Sequence, residues 1–216
     1  MSAQCFDASS AKEIAQKLLE INAIKLQPEQ PFTWASGWKS PIYCDNRVSL
    51  SYPAIRKRIK ELFAAAIQKE FPLAECVAGV ATAGIPQGAL VADALDLPFV
   101  YVRSSSKSHG LENRIEGHLQ EGSKVVVLED LVSTGGSSLQ AVEALRAAGA
   151  EVLGMVSIFT YNFPIAEANL SNKNVDLVYL SDYTHLIEVA IETGLVGGSM
   201  AATLSKWRED PGAWGG

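Results

Sequence analysis

The sequence predicts an α/β protein: a mainly parallel sheet flanked by helices, with a small irregular subdomain at its N-terminal end. Three observations carry this. The runs CVAGV at 76–80, VVVL at 125–128 and VLGMVSIF at 152–159 are apolar without alternation, as strands buried on both faces must be. Helical patterns separate these runs at the spacing of βαβ units. A stretch rich in Pro, Gly and aromatic residues, 27–47, breaks the pattern before the sheet begins.

The elements follow in order. Residues 9–26 carry Ile14, Leu18, Leu19, Ile21 and Ile24 at helical spacing, with Ser9 or Ser10 as the N-cap and Glu13 three residues after Ser10. Residues 27–47 read as an irregular or hairpin region. Residues 51–70 return to helix, with Tyr52-Pro53 near its start and Ile55, Ile59, Leu62, Phe63 and Ile67 on one face. Then strands are expected at Cys76–Val80, Pro98–Val102, Lys124–Leu128, Val152–Phe159 and Val175–Leu180. Helices are expected at Ala83–Leu95, at Ser137–Ala148 with Gly149 as its stop, at Asp182–Glu192 and at Met200–Arg208. Residues 103–123 form a long polar segment between two strands, the kind of loop that usually serves function. No linker divides the 216 residues, which read as a single domain.

Composition excludes several classes. Hydrophobic residues make up 48%, too many for disorder, and the net charge of -6 argues against a general nucleic-acid or anionic-membrane binder. The N-terminus lacks a charged segment followed by an apolar core, and no apolar run approaches the length of a membrane span. Three cysteines, Cys5, Cys44 and Cys76, stand far apart with no CxxC pair, so reduced thiols in the cytoplasm are expected and no metal-ligating set is read.

The chemistry concentrates in VVVLEDLVSTGGSS, residues 125–138. An aliphatic strand runs into two acids, Glu129 and Asp130, then Leu131 and Val132, then Ser133, Thr134, Gly135, Gly136 and Ser137 ahead of a helix. A Gly-rich turn at a helix N-terminus presents free backbone N–H groups and a favourable dipole to an anion, and the hydroxyls add donors. It is neither a Walker A loop nor GxGxxG, because the required spacing is missing. Acids beside a phosphate cradle are incompatible with a bare phosphate but suit a phosphorylated sugar, whose hydroxyls donate to carboxylates. In sheets of this kind ligands bind beyond the carboxyl ends of the strands, which is where these residues fall.

This segment resembles the phosphoribosyl-pyrophosphate-binding motif of the type I phosphoribosyltransferases. Three further segments resemble the orotate phosphoribosyltransferases within that family: FTWASGWKSPIYCDNR at 32–47, GVATAGIPQGALVA at 79–92 and VRSSSKSHGLENRIEG at 102–117. The resemblance spans about residues 32–159, in order. It implies the type I phosphoribosyltransferase fold with an N-terminal hood of about residues 1–50, Mg2+ as cofactor, and a homodimer with shared active sites. It also implies transfer of the 5-phosphoribosyl group from phosphoribosyl pyrophosphate to orotate, in pyrimidine biosynthesis. Arg103, Lys107 and His109 are the implied catalytic residues on a closing loop, where cationic donors stabilise departing pyrophosphate. Residues Glu129 to Ser137 are implied to hold the sugar phosphate, and Ser133, Tyr43 and Cys44 the orotate. Arg114 and His118 are read as solvated.

The chain departs from the family pattern at four basic positions. Ala35, Thr82-Ala83 and Ser104 stand where members often carry Lys, Tyr-Lys and a second basic residue, and no Arg occurs between Met155 and Lys173. Lys39 is the candidate to supply charge near the base. Two other readings stay open: a purine-base phosphoribosyltransferase, and a non-catalytic regulator that senses phosphoribosyl pyrophosphate.

Overall fold

A computed structural model of the chain describes residues 3–34, 37–104 and 114–214. Its centre is a seven-stranded sheet. In chain order the strands are β1 (Ala3–Cys5), the hood strands β2 (Ile24–Leu26), β3 (Phe32–Thr33), β4 (Lys39–Ser40) and β5 (Ile42–Cys44), then β6 (Cys76–Val80), β7 (Phe99–Val102), β8 (Ile115–Glu116), β9 (Lys124–Val132), β10 (Glu151–Thr160) and β11 (Leu177–Asp182). The sheet order is β1-β11-β10-β9-β6-β7-β8, parallel except for β8, which returns antiparallel to β7. The helices are α1 (Ala8–Glu20), α2 (Pro53–Glu70), α3 (Gly84–Leu95), α4 (Gly136–Ala147), α5 (Pro164–Asn172), α6 (Tyr183–Glu192) and α7 (Gly198–Glu209), with a 3-10 helix at Asn46–Ser51.

Both sheet faces are covered, and two contacts on β9 show how. Gly79 of β6, level with Leu128 of β9, faces Gly84 at the start of α3. The next residue of β9, Glu129, turns to the other face and meets Ser138 of α4. Successive strand residues point to opposite faces, so α3 and α4 sandwich the sheet. The central strands are correspondingly apolar throughout: Val77, Val125 to Leu128, Met155 and Val156 are fully buried.

The structure corrects several boundaries. The first helix is capped by Asp7, whose Oδ2 accepts from Ser10 N at 2.7 Å, and not by Ser9 or Ser10. It ends at Glu20, because Asn22 takes a left-handed φ of 56° and Ile24–Leu26 then pairs with β5 as a strand. β9 runs on through both acids to Val132, since β10 pairs alongside it as far as Thr160. Residues 3–5, expected within the hood, form an edge strand of the main sheet beside β11. The hood proper consists of the two-stranded pairs β2-β5 and β3-β4.

Candidate functional site

Four segments converge at the carboxyl ends of the central strands. The first is β9 itself. Glu129 is 5% exposed; its Oε1 accepts from Asp130 N at 2.9 Å and its Oε2 from Ser138 Oγ at 2.8 Å. Burial, with the neighbouring Asp130 charge adding to it, pushes its carboxyl well above the ordinary carboxylate range. Asp130 is only half-buried, and its carboxyl lies beside that of Glu129. Burial raises its carboxyl too, opposed by the hydrogen bond with Glu129 and by the Arg47 charge. The two acids are therefore unlike: Glu129 is buried and braced against α4, while Asp130 is the more exposed of the pair.

The second segment is the turn that follows. Ser133 and Thr134 are half-buried, Gly135 takes φ 79°, and Gly136 and Ser137 are exposed. That positive φ at Gly135 lets the chain double back into α4 without a Cβ penalty. α4 has no side-chain cap, so the amides of its first turn stay open to an anion from solvent. From behind, Asn169 of α5 donates to Thr134 O at 3.0 Å and pins the turn.

The hood supplies the third segment. Asn46 is 2% exposed and donates from Nδ2 to Asp130 O at 2.7 Å, tying the hood to β9 across 84 residues of sequence. Its Oδ1 faces Cys44 Sγ at 3.4 Å. Burial pushes the Cys44 thiol well above its usual value, so this thiol stays protonated. Tyr43 is 41% exposed and its ring lies 5.5 Å from that of Phe32. Lys39 donates to Thr33 Oγ1 at 2.8 Å across β3-β4 and is exposed, which ties it to its own hairpin. Ala35 lies outside the described residues.

The fourth is the loop after β7. Arg103 is held by Glu116 of β8, Nη1 to Oε1 3.4 Å, and its own N donates to Arg114 O at 2.7 Å. Arg114, expected to be solvated, instead donates from Nε to Arg103 O at 3.1 Å and from Nη2 to Ser104 O at 3.1 Å. It thus closes the stem of the loop. Lys107 and His109 lie outside the described residues. His118 is exposed, as expected.

Among these, Glu129 to Ser137, Tyr43, Cys44 and the stem residue Arg103 belong to segments set around the same strand ends. Asn46 and Ser138 were missed. Asn46 sits inside the hood segment quoted above, and Ser138 is the last residue of the motif, but nothing in their spacing shows which acid each would hold. Among the described residues, no group of three or more His, Cys, Asp or Glu side chains is arranged to hold a metal ion. No helix among them is long and apolar enough to cross a membrane.

Comparison with known proteins places this geometry. Residues 50–180 match the phosphoribosyl transferase domain family. The chain is 60% identical over 200 residues to an orotate phosphoribosyltransferase of Bacteroides thetaiotaomicron, covering 93% of this chain and 94% of that one. It is 59% identical over 204 residues to the same enzyme of Porphyromonas gingivalis, covering 94% and 97%. Among solved structures it is similar to orotate phosphoribosyltransferase from Aeropyrum pernix, with a TM-score of 0.74, 28% identity, and 85% and 99% of the two chains covered. It is also similar to Leishmania donovani UMP synthase, at TM-score 0.79 and 26% identity; 96% of this chain aligns there with 43% of that one.

Proposed function

The chain belongs to the phosphoribosyltransferase family and, within it, to the orotate phosphoribosyltransferases, and we propose how its residues divide the work of that reaction. The enzyme transfers the 5-phosphoribosyl group from phosphoribosyl pyrophosphate to orotate, giving orotidine 5′-monophosphate and pyrophosphate. The observation that carries the division is the continuity of β9 into the turn and α4. One uninterrupted segment presents a carboxylate, then an uncapped helix start, to the same cleft.

In this reading the 5′-phosphate sits on the turn from Ser133 to Ser137, where backbone amides and hydroxyls donate to it. Asp130 accepts from the ribose hydroxyls. Glu129, held by Ser138, sets the carbonyl end of β9 beneath the ribose, and the Asp130 carboxylate supplies the negative potential there. Negative charge there favours the positive charge that develops on the ribosyl ring as the C–O bond to pyrophosphate breaks. No side chain need act as nucleophile: N1 of orotate attacks the ribosyl carbon, and the bond to pyrophosphate leaves with its electron pair. Catalysis then rests on positioning and on charge. Arg103, Lys107 and His109 stabilise the pyrophosphate, and closure of their loop keeps water from the activated sugar. Tyr43, Cys44 and Ser133 border the orotate.

Magnesium belongs to this reading as a substrate-borne ion. Both Glu129 oxygens already accept from Asp130 N and Ser138, which leaves Asp130 as the free carboxylate; this is no protein cage, and suits an ion held mainly by pyrophosphate and ribose oxygens. When bound it would neutralise phosphate charge. A homodimer, with the loop of one subunit reaching its partner's site, completes the proposal and rests on the resemblance to the orotate phosphoribosyltransferases; a cytoplasmic location rests on the three widely spaced cysteines.

Base specificity is the direct test. Orotate, adenine and hypoxanthine are supplied separately with phosphoribosyl pyrophosphate and Mg2+, and nucleotide formation is followed by chromatography. Only orotate is expected to react; turnover of a purine with none of orotate would overturn the reading.

A further inference from the structure

The groups assigned above to base and ribose sit on elements that belong to different sheets: Tyr43 and Cys44 on β5 of the hood, Asp130 on β9 of the main sheet. Transfer requires the base nitrogen and the ribosyl carbon to meet at reacting distance, so the seating of the hood on β9 bears directly on the rate. Asn46 makes that seating. Its Nδ2 donates to Asp130 O at 2.7 Å, landing on the residue that serves the ribose from a position two residues after Cys44.

The local sequence commits Asn46 to this bond. The residue opens the 3-10 helix, which Asp45 caps. Its own carbonyl accepts from the buried Ser49 Oγ at 2.6 Å, which fixes the backbone. Cys44 Sγ donates to its Oδ1 at 3.4 Å and so sets the orientation of the amide: the oxygen is taken by the thiol and the NH2 is left for the strand. Burial keeps that thiol protonated, and hence a donor. On either side Asp45 and Arg47 pair with each other, Arg47 Nε to Oδ1 at 2.6 Å and Nη2 to Oδ2 at 2.9 Å. The charges of the segment are thus satisfied by one another, and the neutral amide goes inward. Because Asn46 is 2% exposed, any seating that parted it from Asp130 O would leave a buried donor unpaired, which is costly.

We propose that Asn46 is a positioning residue for the transfer step: it locks the hood to β9 at Asp130 and thereby sets the approach of the base nitrogen to the ribosyl carbon. It acts through Cys44 and Asp130 and touches neither substrate. The inference rests on the orotate reading of the site and deepens it.

Two variants of nearly the same size test it. Asn46→Leu removes the amide, and Asn46→Asp sets an acceptor against the Asp130 carbonyl. Each is assayed at a temperature where circular dichroism shows it folded, so the result stands on whichever variant folds. With both substrates saturating, kcat is expected to fall roughly 10- to 100-fold, the scale of a misplaced reactant. Binding of phosphoribosyl pyrophosphate alone, by calorimetry, should stay within about threefold of wild type, because the turn from Ser133 to Ser137 and the Asp130 carboxylate remain. A kcat within twofold of wild type in the folded variants, whatever their melting temperatures, would overturn the proposal and leave Asn46 a packing residue. A loss of phosphoribosyl pyrophosphate affinity as large as the loss in kcat would also overturn it, since the damage would then lie in the sugar site and not in the meeting of base and ribose. Failure of the wild-type protein to use orotate at all would instead overturn the underlying reading.

Discussion

Gly84 is the position at which fold and site can be disturbed by one methyl group. It opens α3, and a Cβ built there would lie 2.6 Å from Leu128 O, a backbone atom of β9 immediately before Glu129. From the other side, a Cβ on Gly79 would meet Gly84 O at 2.8 Å, so helix and strands touch backbone to backbone. Ordinary contact begins at 3.4 Å, which leaves about 0.8 Å to be made up by moving α3, β9 or both. Neither is a flexible side-chain end, and a packed interior yields little. Gly84→Ala is therefore expected to cost ~1–3 kcal/mol in urea denaturation followed by circular dichroism. Because the shift acts on the strand that carries both acids, kcat/KM should fall by about 100-fold, the scale of a near-ångström misplacement. Gly197→Ala is the control: no atom lies within 4 Å of its added Cβ, and its stability should stay within about 0.5 kcal/mol of wild type. A Gly84→Ala protein as stable and as active as that control would refute the close-approach argument.

Two other perturbations test the electrostatics. Burial raises the Glu129 carboxyl, so wild-type stability is whole below the ordinary carboxylate range and declines as pH rises through the raised value. Glu129→Gln should therefore be more stable than wild type at neutral pH and lose that advantage in acid; a stability difference that does not vary with pH would count against a raised carboxyl. Lys107→Ala should lower kcat by about 100- to 1000-fold, as removal of a transition-state donor does, with the orotate KM within twofold; unchanged kcat would remove Lys107 from the catalytic set.

Much of the fold was readable because its central strands are buried on both faces. CVAGV and VVVL have no alternation to mistake, and β6 and β9 appear where those runs stand. The phosphate turn was readable because its chemistry is contiguous from Glu129 to Ser137. What was hidden depends on partners distant in sequence. β9 continues through two acids only because β10 pairs with it to Thr160, so a charged pair that looks like a strand terminus is strand. The first helix stops at Glu20 because the chain turns at Asn22 to pair Ile24–Leu26 with β5, a tertiary demand that overrides the apolar spacing of Ile21 and Ile24. The three-residue β1 and the two-residue β8 are too short to show a period. The inequality of the two acids follows from Ser138, which holds the Glu129 carboxyl, while Asn46 reaches only the backbone carbonyl of Asp130.

Loss of orotate absorbance on mixing the purified protein with orotate, phosphoribosyl pyrophosphate and Mg2+ tests the central claim most directly. The absorbance should fall in the complete mixture and remain constant when phosphoribosyl pyrophosphate is left out. A constant absorbance in the complete mixture would contradict the assignment of β9 and its turn to phosphoribosyl transfer onto orotate.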